Sequence, residues 1–158
     1  MDIIFLEIVG VLDSHNSYLY WHRNAEKRIR EFTIENLCLL AVNNLNYLIE
    51  KSPNRLGIVL TSNVFSEDLD FYKSYFKEFG FLYPETILEI LPRVDKSDKS
   101  LCIMKWLKFN EFNKYLIIDS MESFSSEFQT KMVVTDPFVG FSVKNVLESL
   151  AILNNKWE

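Results

Sequence analysis

Cysteine, histidine, glycine and proline are all scarce in this chain: 158 residues carry only two, two, four and four of them. Two cysteines cannot build a disulfide scaffold. Cys38 and Cys102 each fall in a segment of helical periodicity, so both are expected to be small buried thiols in a reducing compartment. His15 and His22 stand in a loop-like region without a nearby cysteine, which argues against a zinc site. No apolar run approaches the roughly 20 residues that span a membrane. The start, Met1-Asp2-Ile3-Ile4-Phe5-Leu6-Glu7, has no basic region, and Glu7 breaks its apolar run, so no signal peptide is expected and the expected location is cytoplasmic. A basic excess is missing too. The net charge of -5 disfavours non-specific binding to nucleic acid, although a local basic patch stays compatible with it.

What the chain does contain is apolar and aromatic: 48% hydrophobic residues, with thirteen Phe, seven Tyr and three Trp. At this length one core buries most of the apolar surface, so residues 1–158 are expected to form a single domain. Ile3 to Ile8 reads as a strand buried on both faces. Residues 13–33 lack clean periodicity and are rich in aromatic and basic side chains, including Tyr18, Trp21, Arg23 and Arg30, which suggests a flap or small cap insertion. A helix carrying Ile34, Leu37, Cys38, Ala41, Leu45, Leu48 and Ile49 is expected behind an N-cap at Thr33. Leu56 to Leu60 is a second strand, and a second helix opens at Ser66, Glu67 and Asp68 and closes at Gly80. Thr86 to Leu91 is a third strand, followed by a charged loop and a helix with Leu101, Cys102, Trp106 and Leu107. Tyr115 to Ile118 and Met132 to Val134 are the fourth and fifth strands. Ser142 then caps a last helix expected to bury Val143, Val146, Leu147, Leu150 and Ala151. Strands alternating with helices in this way imply an α/β fold with a parallel sheet of about five strands and helices on both faces.

In open α/β sheets ligands bind beyond the carboxyl ends of the strands, so the residues directly after each apolar run are the informative ones. Phe5-Leu6-Glu7-Ile8-Val9-Gly10-Val11-Leu12-Asp13-Ser14 resembles the first motif of the haloacid dehalogenase-like (HAD-like) superfamily, a strand ending in Asp-x-Asp-Gly-Val-Leu. Glu7 and Val9 stand where the two aspartates belong. Ile58-Val59-Leu60-Thr61-Ser62 resembles the second motif, Lys99 ahead of Trp106-Leu107 the basic third, and Tyr115-Leu116-Ile117-Ile118-Asp119-Ser120 the acidic fourth. Val133-Val134-Thr135-Asp136-Pro137 through Gly140-Phe141-Ser142 resembles the closing segment. The resemblance covers almost the whole chain in order, and is nearest to the HAD domain of Swiss Army Knife RNA repair proteins. It implies a three-layer Rossmann-like fold with a small or absent cap.

The resemblance also assigns roles. In such enzymes the first aspartate attacks phosphorus and the second acts as general acid and base. Magnesium bridges nucleophile, phosphate, a backbone carbonyl and a fourth-motif acid. Carried over, Glu7 and Lys99 are the catalytic candidates, Thr61, Ser62 and Lys99 the phosphate-binding ones, and Glu7, the Val9 carbonyl and Asp119 the metal ligands, with Asp13 and Glu122 as further acids. Glu7 lengthens the nucleophile by a methylene, and a misplacement of about 1 Å costs about a hundredfold in rate. Val9 removes an acid–base contribution of about 10² to 10⁴-fold. Ser120 thins the acid cluster, so only weak Mg2+ binding is expected.

The expected function is therefore that of a catalytically degenerate, phosphatase-like domain, a pseudophosphatase, acting by binding an unidentified protein partner or phosphorylated small ligand. The alternative is a slow Mg2+-dependent phosphohydrolase or phosphotransferase with Glu7 as nucleophile, acting in nucleic-acid end processing in one version. For each residue a plainer role competes. Glu7 is explained as well by an ion pair with Lys99, Thr61 and Ser62 by backbone hydrogen bonds, and Asp119 by bonds to loop amides.

Overall fold

A computed structural model of the protein describes residues 1–15, 37–61, 68–92, 99–121 and 124–155. Five strands, β1 (Asp2–Leu6), β2 (Leu56–Leu60), β3 (Ile87–Ile90), β4 (Tyr115–Asp119) and β5 (Met132–Val134), form one sheet in the order β3-β2-β1-β4-β5, every pairing parallel. The helices between them are α1 (Leu39–Lys51), α2 (Leu69–Glu78), α3 (Lys99–Phe109) and α4 (Val143–Asn154).

Alternation along the strands separates two cores. Ile4, Leu6, Ile58, Leu60, Leu116 and Ile118 face α1, α2 and α4. Ile3, Phe5, Val59 and Ile117 face the other way, onto Ile103 of α3 and Phe128 of the 3-10 turn Ser126–Lys131. All five residues of β1 are buried, as expected of a central parallel strand covered on both sides. Three layers result.

Several boundaries differ from the sequence expectation. α1 begins at Leu39, because Cys38 is extended and its N–H donates to the Leu12 carbonyl at 2.7 Å, tying this stretch to the loop after β1. Leu37 is still fully buried, but as part of that connection. Thr33 and Ile34 lie outside the described residues, as do Ser66, Glu67 and nearly all of the 13–33 segment. Neither cysteine is fully buried: Cys38 and Cys102 are half-buried free thiols, each packed at the edge of a core.

α2 starts where Asp68 accepts the Asp70 N–H. It ends in a Schellman turn: Gly80, at φ 85°, donates to the Lys77 carbonyl and Phe81 to that of Phe76, while the Phe76 and Phe81 rings pack edge to face. The expected face of α4 is corrected. Asn145, Val146, Ser149 and Leu153 are buried, and Val143 and Leu147 are each 62% exposed. The polar members fit inside because Ser142 and Asn145 form a capping box, Asn145 also bonds the Val134 carbonyl, and Ser149 donates to the Asn145 carbonyl. Among the described residues no helix is long and apolar enough to cross a membrane.

Candidate functional site

The register aligns Leu6 with Leu60 and Ile118, so Glu7, Thr61 and Asp119 emerge at one edge of the sheet. β1 is the switch point: the chain builds β2 and β3 on one side and β4 and β5 on the other. A crevice is expected at such a point, and Glu7 and Asp119 flank it.

Lys99, the first residue of α3, reaches between them. Its ammonium bonds both Glu7 Oε2 and Asp119 Oδ2, the latter at 2.7 Å, and the three side chains are 10%, 12% and 1% exposed for Glu7, Lys99 and Asp119. The remaining carboxylate oxygens are also engaged. Glu7 Oε1 accepts the N–H groups of Ile8 and Val9 at 2.8 and 3.3 Å, and Asp119 Oδ1 accepts that of Met121 at 2.9 Å. Burial disfavours the charged form of Lys99, but the charges of Glu7 and Asp119 outweigh it and hold the ammonium above its ordinary range. For Asp119 burial dominates in the other sense and raises the carboxyl, with the Glu7 charge adding to it and Lys99 and the Met121 N–H opposing it.

The loop after β1 is held by the residues that directly follow β4 and β5. Ile8 carbonyl accepts the N–H groups of Val11, Leu12 and Asp13, and Gly10, at φ 77°, donates to the Asp13 carbonyl. Ser120 donates to the Val9 carbonyl at 3.2 Å and Thr135 to the Gly10 carbonyl at 2.8 Å. A Cβ at Gly10 would stand 2.5 Å from Ser120 Oγ, so glycine is needed both for the backbone angle and for the space. Val9 itself is 46% exposed.

The match that decides the family is to the model of the HAD domain in Swiss Army Knife RNA repair proteins, over residues 3–146. The chain belongs to that family. Neither curated proteins nor solved structures returned a match to it. The HAD architecture accounts for this grouping, since Glu7, Thr61 and Asp119 follow or end neighbouring parallel strands at the same sheet edge.

Of the residues singled out from the sequence, the structure brings Glu7, Lys99 and Asp119 into direct contact and places the Val9 carbonyl in the same loop. Thr61 ends β2 with its hydroxyl buried and without a hydrogen-bond partner among the described residues. Ser62 and Glu122 lie outside the described residues. Asp13 is buried in the loop, where its backbone carries the turn. Thr135 was missed as a site residue, although the strand-end rule that selected Thr61 and Asp119 selects it equally. No local pattern marked the Ser120 hydroxyl as a latch.

The HAD family implies magnesium, which takes six oxygens in near-ideal octahedral geometry. The donors the resemblance supplies are Glu7, the Val9 carbonyl and Asp119. Both carboxylates already bond Lys99 and backbone N–H groups, and the carbonyl already accepts from Ser120. Among the described residues no group of three acids, histidines or cysteines is poised around one point. As they stand, these residues do not fit a magnesium ion.

Proposed function

We propose that this HAD-like domain is a pseudophosphatase, acting by binding a protein partner or a phosphorylated ligand. The observation that carries the reading is Val9. Its apolar side chain stands exposed in the loop after β1, where the family resemblance requires an acid to protonate the leaving group and activate water. Glu7 supports it, since each of its oxygens accepts a hydrogen bond from a backbone N–H or from Lys99, which weakens it as a nucleophile. Thr61 supports a retained place for an oxyanion: its buried hydroxyl has no hydrogen-bond partner among the described residues, and a phosphate oxygen would supply one.

The test is hydrolysis of an aryl phosphate and of a 5′-phosphorylated RNA oligonucleotide, the latter because the family is that of RNA repair proteins. Wild type is expected to match Glu7→Gln at background, and Glu7→Asp/Val9→Asp to gain turnover. The surviving Glu7–Lys99–Asp119 cluster favours the second reading, a slow phosphohydrolase with Glu7 as nucleophile. Wild-type turnover that disappears in Glu7→Gln would establish that reading and end the first.

A further inference from the structure

We infer that Lys99 is the built-in cation of this site: its ammonium already neutralises Glu7 and Asp119, and Ser120 replaces the second acid of the fourth motif, so any ligand of this site is bound without a divalent metal. The inference deepens the reading above and rests on its placing of the ligand site at this crevice.

Three observations carry it. First, the ammonium bonds one oxygen of each carboxylate, so a metal using those oxygens would have to share them with Lys99 and sit a few ångströms from a buried positive charge. Second, the carbonyl that would complete the inner ligands, that of Val9, accepts the Ser120 hydroxyl, and Ser120 stands at the position where the fourth motif carries its second acid. One substitution therefore removes a carboxylate and supplies a donor to a carbonyl. Third, the opposite oxygens of Glu7 and Asp119 are tied to the backbone N–H groups of Ile8, Val9 and Met121, which fixes both carboxylates in the orientation that faces Lys99. Two carboxylates and one ammonium leave a net charge of -1, so the charge a metal would neutralise is already halved by a side chain that cannot dissociate.

The test is thermal unfolding of the full chain with magnesium and with manganese, in wild type, Asp119→Asn, Lys99→Ala and Lys99→Ala/Asp119→Asn. Wild type is expected to show no metal-dependent shift. Lys99→Ala frees both carboxylates, and a metal at about a hundred times its Kd should raise its Tm by roughly 5 to 10 °C. Adding Asp119→Asn should abolish that gain. A wild-type shift that Asp119→Asn removes overturns the inference, as does a folded Lys99→Ala that ignores both metals. If Lys99→Ala does not fold, manganese broadening of the Val9 and Met121 amide signals in the wild-type NMR spectrum decides. Broadening overturns the inference and its absence upholds it. Phosphate-ester turnover, measured separately with and without chelator, reports on the pseudophosphatase reading and leaves metal binding as an independent result.

Discussion

At the scale of single residues the protein depends on an ion cluster that is almost closed to water. Removing one partner of such a cluster leaves uncompensated buried charge, so Lys99→Met is expected to cost about 3–5 kcal/mol at neutral pH. The loss should shrink in acid, where the two carboxyls can take protons, and urea unfolding at both pH values measures it. The sign at high pH follows from the raised pKa of Lys99. Its contribution is complete below the ordinary value of 10.5 and is lost as pH rises through the higher folded value, so wild type should lose stability in that alkaline window more steeply than Lys99→Met. Asp119 has the same sign in an acidic window. Its carboxyl is raised above 3.8, so the folded state holds that proton more tightly than the unfolded one, and ionising it costs stability as pH climbs past 3.8. Glycine substitutions separate backbone angle from space. Gly80→Ala meets no atom within 4 Å and should cost only the left-handed penalty of about 1–2 kcal/mol. Gly10→Ala and Gly140→Ala add contacts of 2.5 Å to Ser120 Oγ and 2.7 Å to the Val11 carbonyl, and should cost clearly more in the same melts.

At the scale of elements, caps and strand ends matter more than helix propensity. Ser142→Ala removes one half of the α4 capping box and is expected to cost about 1 kcal/mol, read by denaturant midpoint at unchanged m-value. Thr135→Val deletes the donor to the Gly10 carbonyl and should cost about 1–3 kcal/mol by leaving a buried acceptor unpaired. Such capping was readable for the Gly80 end of α2 and for α4, because a cap needs only residues a few places apart. The start of α1 was not. The hydrophobic repeat runs on through Leu37 and Cys38, but a hydrogen bond from Cys38 to Leu12 holds that stretch extended. The face of α4 was misjudged for a related reason: periodicity places Val143 and Leu147 with Val146, whereas packing on β4, β5 and α1 selects the side that carries Asn145 and Ser149.

At the scale of the whole molecule the central position of β1 sets both stability and site. Its amides are bonded on both sides, to β2 and β4, and its side chains lie between two cores. Amides of Ile4, Phe5 and Leu6 should therefore exchange with deuterium only through global unfolding, while those of the edge strand β5 exchange sooner. Faster exchange in β1 than in β5 would contradict the strand order. The sequence by itself determined the order of strands and helices and the residues that end each strand, since apolar runs, caps and glycine stops are local signals. It thereby named Glu7, Thr61 and Asp119 without any coordinates. Only the tertiary structure decided that Lys99 lies between Glu7 and Asp119, that Ser120 closes the Val9 carbonyl, and that Thr135 holds Gly10. Those contacts join residues 20 to 125 positions apart. They depend on which strands lie side by side and in what register, and no local pattern of side chains encodes that.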